Sequence, residues 1–177
     1  MPDSQKTEML KVAVSSCLMG SAVRYDGQHK RQTRIVEMFD EHFEAVVVCP
    51  EMLAGLGTPR PPVQLVRVGN QIQARGVQDK ELDVTKLIEK VVAEFIAVHT
   101  ELSGMILQSR SPSCGVGSTP LFDECSETIG FTNGLFADAI VNAFPGMPIQ
   151  EDDWFVDQGA VDKFVEQVRS YARTETN

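Results

Sequence analysis

Four cysteines stand at positions 17, 49, 114 and 125, and their neighbours divide them into two kinds. Cys17 follows Val14-Ser15-Ser16, Cys49 opens Cys49-Pro50-Glu51, and Cys114 closes Ser109-Arg110-Ser111-Pro112-Ser113. Each of these three comes after a short apolar run, beside Pro, Gly or Ser residues that bend the chain. Cys125, in Asp123-Glu124-Cys125-Ser126, has no such run behind it and reads as an ordinary loop cysteine. Thiolates are soft ligands, and three that converge can hold Zn²⁺ or an iron–sulfur cluster. No CxxC pair is present, so a zinc ribbon gains no support. Zinc would usually want a fourth ligand, yet His42 and His99 fall within expected helices and only His29 lies in a loop near the first cysteine. A cubane on three cysteines leaves one iron without a protein ligand, free to act as a Lewis acid. Residue types and spacing leave zinc and cluster both open.

Groups suited to proton transfer accompany the cysteines. Glu51 lies two residues after Cys49, while Ser111 and Ser113 precede Cys114 by three and one. Glu51 suits a base towards a bound water, or equally a first-turn helix residue after Pro50, favoured by the macrodipole. The serines are candidate site residues or turn residues bonded to their own backbone. Arg24 and Tyr25, with Arg60 and Arg110, lie in loops expected at the same edge and are candidates for binding a substrate carbonyl or phosphate. Ion pairing with the many carboxylates is the commoner fate of such arginines.

The elements that must position these residues alternate strand and helix. Leu10–Val14, Ala45–Val48 and Met105–Gln108 are short apolar or β-branched runs, expected as buried parallel strands. Ile35, Val36, Phe39 and Phe43 recur at helical spacing over Thr33–Phe43, and a longer helix is expected from Val84 to Leu102, capped by Asp83. Val63–Val68 and Gln71–Arg75 flank Gly69-Asn70 and read as a small edge β-hairpin. Gly134–Phe144 and Val161–Tyr171 are expected helices, with Met147–Ile149 a last short strand. The order predicts an α/β fold, three-layer and Rossmann-like, around a mostly parallel sheet. In such a sheet the C-terminal strand ends share one edge, where Cys17, Cys49 and Cys114 would meet.

Bulk composition narrows the function class. At 177 residues, 42% hydrophobic and 23% charged, residues 1–177 suit one globular domain with a real core. The net charge of −9 disfavours a nucleic-acid-coating role and leaves a small-molecule substrate as the better fit. The first residues, MPDSQKTEML, contain no apolar h-region, so no signal peptide is expected, and no run is long enough for a membrane span. The expected location is cytoplasmic, where thiols stay reduced. Composition leaves the oligomeric state open. The segment after Pro145, with Glu151-Asp152-Asp153 and Trp154, matches no motif and reads as packing and solvent-facing surface.

Taken in order, Val14–Gly20, Val23–Gly27, Cys49-Pro50-Glu51, Gly55–Arg60 and Ser109–Gly115 together resemble the thiouracil desulfidase (TudS) family. The resemblance spans roughly Val12 to Phe144, and it is what favours a [4Fe–4S] cluster over zinc. It implies non-redox desulfuration of thiouracil to uracil and hydrosulfide, with Cys17, Cys49 and Cys114 as cluster ligands. The family's catalytic carboxylate and serine look like Glu51 and Ser111, with Ser113 flanking the same motif. A thiolated pyrimidine, as free base or nucleoside, is the implied substrate. Competing functions are a sensory or structural metal-binding module without turnover, and an electron-transfer protein. Ligation of a fourth iron by Cys125 would favour these two.

Overall fold

A computed structural model describes residues 9–175. The stretch in which no signal segment is expected lies, up to residue 8, outside the described residues. In chain order the elements are β1 (Lys11–Ser15), α1 (Thr33–His42), β2 (Glu44–Val48), α2 (Pro50–Leu53), β3 (Val63–Val68), β4 (Gln71–Gly76), α3 (Thr85–Val98), β5 (Gly104–Leu107), β6 (Thr119–Phe122), β7 (Thr128–Thr132), α4 (Leu135–Ala143), β8 (Ile149–Glu151) and α5 (Gln158–Glu175). Short 3₁₀ turns cover Ser16–Met19 and Asp152–Trp154.

The β-branched runs form a four-stranded sheet, β2-β1-β5-β8, in which every neighbouring pair is parallel. Side chains alternate across a strand, so β1 sends Val12 and Val14 to one face and Ala13 to the other. Val12, Val14 and Ile106 share a core with Ile35, Met38 and Phe39 of α1 and with Phe164, Val165 and Val168 of α5. Ala13, Met105 and Leu107 share the opposite core with Ile88, Val92 and Phe95 of α3 and with Phe136 and Ile140 of α4. This is the expected three-layer arrangement. Phe136 and Phe164 are fully buried, one in each core, and burial of such a side chain contributes about 1.5–3 kcal/mol. α3 begins at Thr85 with Val84 at its N-cap. Asp83, expected as the cap, stands one residue earlier and accepts the Thr85 N–H at 2.9 Å, while Thr85 Oγ1 accepts the Ala74 N–H at 2.9 Å. The first turn of the helix is thereby tied to β4.

The hairpin around Gly69-Asn70 forms as β3 and β4 and belongs to a second sheet, β4-β3-β6-β7. β3 and β6 pair in parallel, β6 and β7 antiparallel, with an irregular register at Leu121/Phe122. Leu65, Ala74 and Leu121 of this sheet join the α3–α4 core. The last strand lies two residues later than expected, because β5 pairs Met105 with Ile149 and Leu107 with Glu151. That register carries Glu151 and Asp152 to the C-terminal edge of the parallel sheet.

Candidate metal centre

β2, β1 and β5 are adjacent, and each delivers one cysteine beyond its C-terminal end. Cys17 lies in the 3₁₀ turn after β1, Cys49 directly precedes α2, and Cys114 lies in the loop from β5 to β6. All three line one cavity of about 370 Å³, together with Glu51, Ser111, Ser113, Arg24, Tyr25, Arg60 and Arg110. Cys125 is exposed in the β6–β7 turn and does not line it. None of His29, His42 and His99 lines it either.

The thiols are withdrawn from water and feel one another. Burial, joined by Cys49 and Asp152 and opposed by Arg24 and Lys30, pushes the Cys17 thiol up to about 11. Burial also raises Cys49, against the backbone N–H groups of Met52 and Glu51 that favour its thiolate. Cys114 is raised furthest by burial, with Cys49 and Cys17 adding to it and the Ser15 hydroxyl opposing. As a free protein these are neutral thiols, and binding a metal must release their protons. Among the described residues no three His, Cys, Asp or Glu side chains are grouped as for one metal ion. Three soft donors spread around the wall of one cavity, with no histidine or fourth cysteine among them, fit the corners of a cluster better than a single zinc.

The loop that carries Cys114 is fixed from several sides. Ser111 Oγ accepts the backbone N–H groups of Ser113 and Cys114 at 3.2 and 3.1 Å. Its carbonyl accepts the Gly115 N–H at 2.9 Å and Thr119 Oγ1 at 2.7 Å. Ser113 O receives the N–H groups of Phe136 and Ala137 at 3.0 and 3.1 Å, so the loop caps α4 in place of a side chain. Gly134 makes this possible, for a Cβ there would meet the Ser113–Cys114 peptide. From β8, Glu151 Oε1 accepts the Val116 N–H at 2.6 Å and the Ser118 hydroxyl, while Asp152 Oδ1 accepts the Ser109 N–H at 2.7 Å. The expectation of a solvent-facing acidic segment is thus corrected at these two residues: Asp152 is buried, Glu151 half-buried, and both brace the ligand loop. Sequence carried no signal for this, since it depends on the register of β8.

Glu51 is buried and held at both oxygens. Arg60 Nε donates to Oε2 at 2.7 Å and Ser113 Oγ donates to Oε1 at 3.0 Å. Of the arginines expected to face a substrate, Arg24 and Arg110 line the cavity and have no ion-pair partner among the described residues, whereas Arg60 is committed to Glu51. Arg24 lies 5.9 Å from the centre of the Tyr25 ring, a cation–π arrangement at a half-exposed aromatic. Arg110 adopts a left-handed φ of 60°, with its N–H bonded to Ser118 Oγ at 2.7 Å. Lys30, Ser15 and Gln108 also line the cavity, though nothing in their sequence context singled them out. Gln108 Oε1 accepts the Cys17 thiol at 3.2 Å.

Comparison with known proteins places this geometry among relatives. A sequence model of the family described as 2-thiouracil desulfurase matches residues 12–152, a span that holds all three cavity cysteines and ends on Asp152. The uncharacterized protein YbbK of Bacillus subtilis (strain 168) is 38% identical over 112 residues, covering 60% of this chain and 74% of YbbK. A solved structure of the [4Fe–4S]-dependent thiouracil desulfidase TudS is similar with a TM-score of 0.63 and 28% identity, over 82% of this chain and 93% of that one.

Proposed function

The chain belongs to the 2-thiouracil desulfurase family, and from that premise we propose that it is a [4Fe–4S]-dependent thiouracil desulfidase that works without net redox change. A thiocarbonyl and a water yield a carbonyl and hydrosulfide, so no electrons enter or leave. The observation that carries this reading is the meeting of three thiols from adjacent strand ends, two buried and one half-buried, beside a buried carboxylate. Cys17, Cys49 and Cys114 would hold the cluster. When bound, it supplies a soft, Lewis-acidic iron for the thiocarbonyl sulfur, provided one iron lacks a protein ligand. The placement of Cys125 away from the cavity supports that open position.

The remaining work falls to side chains. Each oxygen of Glu51 has one donor, which leaves lone-pair directions for a water proton. Glu51 takes that proton as water adds to the ring carbon, then returns it to the departing sulfur. Ser111 Oγ already accepts two N–H groups, so its own proton is free to orient the water or the substrate. Ser113 contributes through its bond to Glu51. Arg24, Tyr25 and Arg110 form the part of the wall available to the pyrimidine. A free base or nucleoside suits a chain of net charge −9 better than RNA. Among the described residues no helix is long and apolar enough to cross a membrane, and we place the reaction in the cytoplasm, where free thiols persist.

The test is anaerobic reconstitution with iron and sulfide, followed by conversion of 2- and 4-thiouracil without reductant. About four irons per chain with uracil and sulfide as products is the expected result. A stable cluster without turnover would favour a sensory or electron-transfer role. Tight zinc and no iron would reject the cluster.

A further inference from the structure

Arg60 stands in the segment that leads into β3, far in sequence from any cysteine but Cys49. Its side chain is 6% exposed and that of Glu51 10%, so both charges have left water and each depends on the other. Nε donates to Glu51 Oε2 at 2.7 Å. Nη1 donates to the carbonyls of Val23 and Gly57 at 2.8 and 2.7 Å, and the Arg60 N–H donates to Tyr25 O at 2.9 Å. One planar group therefore joins the loop after Cys17, the turn before β3 and the carboxylate after Cys49. With Ser113 on the opposite oxygen, the plane of the Glu51 carboxylate is fixed from two sides.

We propose that Arg60 is a positioning residue for the desulfurisation, acting through Glu51 instead of on the substrate. This rests on the reading of Glu51 as the base. The guanidinium holds the carboxylate at the angle from which its remaining lone pairs face the cavity. A single ammonium would keep the charge but not the fork that spans carboxylate and carbonyls at once. Without Arg60, Glu51 is free to turn about its side-chain bonds, and the proton acceptor leaves the line of the attacking water.

The experiment uses the reconstituted protein and four variants: Arg60→Met, Arg60→Lys, Glu51→Gln and the Glu51→Gln/Arg60→Met pair. Steady-state turnover of 2-thiouracil, iron per chain, and urea unfolding of the cluster-free chain are measured for each. Arg60→Met is expected to lower kcat about 10²-fold, as a displaced catalytic group does, with KM and iron content kept. In the Glu51→Gln background the same change should cost almost nothing further, because the two act as one unit. Arg60→Lys should recover part of kcat. In the cluster-free chain the urea midpoint should fall more on Arg60→Met when Glu51 is present than when it is Gln, a readout independent of activity. A raised KM at constant kcat would make Arg60 a substrate contact through Nη2 and overturn the proposal. Equal losses in both backgrounds, or loss of iron, would make it a plain structural brace and overturn it too. Glu51→Gln with full turnover would instead reject the base assignment itself, which separates the two failures.

Discussion

Gly134→Ala tests whether the Cys114 loop depends on α4. Gly134 has φ −64° and ψ 156°, a backbone that alanine adopts freely, so any effect is steric. The added Cβ would lie 2.5 Å from Ser113 O and 2.7 Å from Cys114 N. Relaxed contact needs about 3.5 Å or more, so loop and helix must separate by about 1 Å. Four bonds cross that gap: the N–H of Gly134 to Gly115 O at 2.8 Å, of Leu135 to Pro112 O at 3.0 Å, and of Phe136 and Ala137 to Ser113 O at 3.0 and 3.1 Å. Overpacking of this kind costs about 1–3 kcal/mol, and weakening several bonds adds a comparable amount, so a loss of about 2–6 kcal/mol is expected. Shifting Ser113 and Cys114 by about 1 Å should also lower turnover about 10²-fold. Urea unfolding of the cluster-free chain reads the first quantity; iron count and thiouracil turnover read the second. Gly159→Ala, in α5, has only Asp157 Oδ1 at 3.3 Å beside the new methyl and serves as the control, expected within about 0.5 kcal/mol of the parent. If Gly134→Ala matches that control in stability and iron content, the loop does not lean on the helix and the reasoning fails.

Replacement of Cys17, Cys49 or Cys114 by Ala should each abolish the iron–sulfur absorbance, and Cys125→Ala should leave it intact; loss of absorbance on Cys125→Ala alone would reverse the ligand assignment. For the cluster-free chain, the fold holds the Cys17 thiol neutral up to about 11, above its value in the unfolded chain. That contribution is complete below about pH 9 and is lost as pH rises through 11, about 2–3 kcal/mol in all. Unfolding measured from pH 8 to 11 should show the decline, to which the raised Cys49 and Cys114 thiols also contribute, and Cys17→Ala should make it shallower without abolishing it. Cluster assembly must release thiol protons, so its yield at limiting iron should fall as pH drops from 8 to 6, while a pH-independent yield would contradict neutral thiols. Glu151→Gln removes the charged acceptor of the Val116 N–H and the Ser118 hydroxyl; a stability loss of about 1–3 kcal/mol with lower iron occupancy is expected, and parental values for both would show that the brace is dispensable.

The parallel sheet was legible because β1, β2 and β5 are continuous apolar or β-branched runs, but only β1 and β5 are buried on both faces. β2, expected as a buried strand, lies at the sheet edge with Val47 exposed. From those strands the meeting of Cys17, Cys49 and Cys114 followed by the geometry of a parallel sheet alone. β6 and β7 were not legible: Thr119-Pro120-Leu121-Phe122 carries a proline and Thr128–Thr132 a glycine, both poor strand signals. β6 has strands on both sides, β3 in parallel and β7 antiparallel, and that tertiary setting outweighs its local sequence. The partners of long side chains were equally hidden. Arg60 and Arg110 look alike in sequence, yet one is buried against Glu51 and the other is exposed. Ser111 and Ser113 also separate only in three dimensions, one accepting from backbone amides and the other donating to the carboxylate.

The bracing of the Cys114 loop by later segments sets an order on biosynthesis. Cys17 and Cys49 leave the ribosome early, with β1 and β2 able to pair soon afterwards. Cys114 follows much later, but the amides of Gly134–Ala137 and the carboxylates of Glu151 and Asp152 that hold its loop have still to emerge. A nascent chain stalled before residue 134 therefore displays three thiols without the scaffold that aims the third. The bracing of the site is completed only when Glu151 and Asp152 have joined the fold, near the end of the family-matched region and not as its ligands appear.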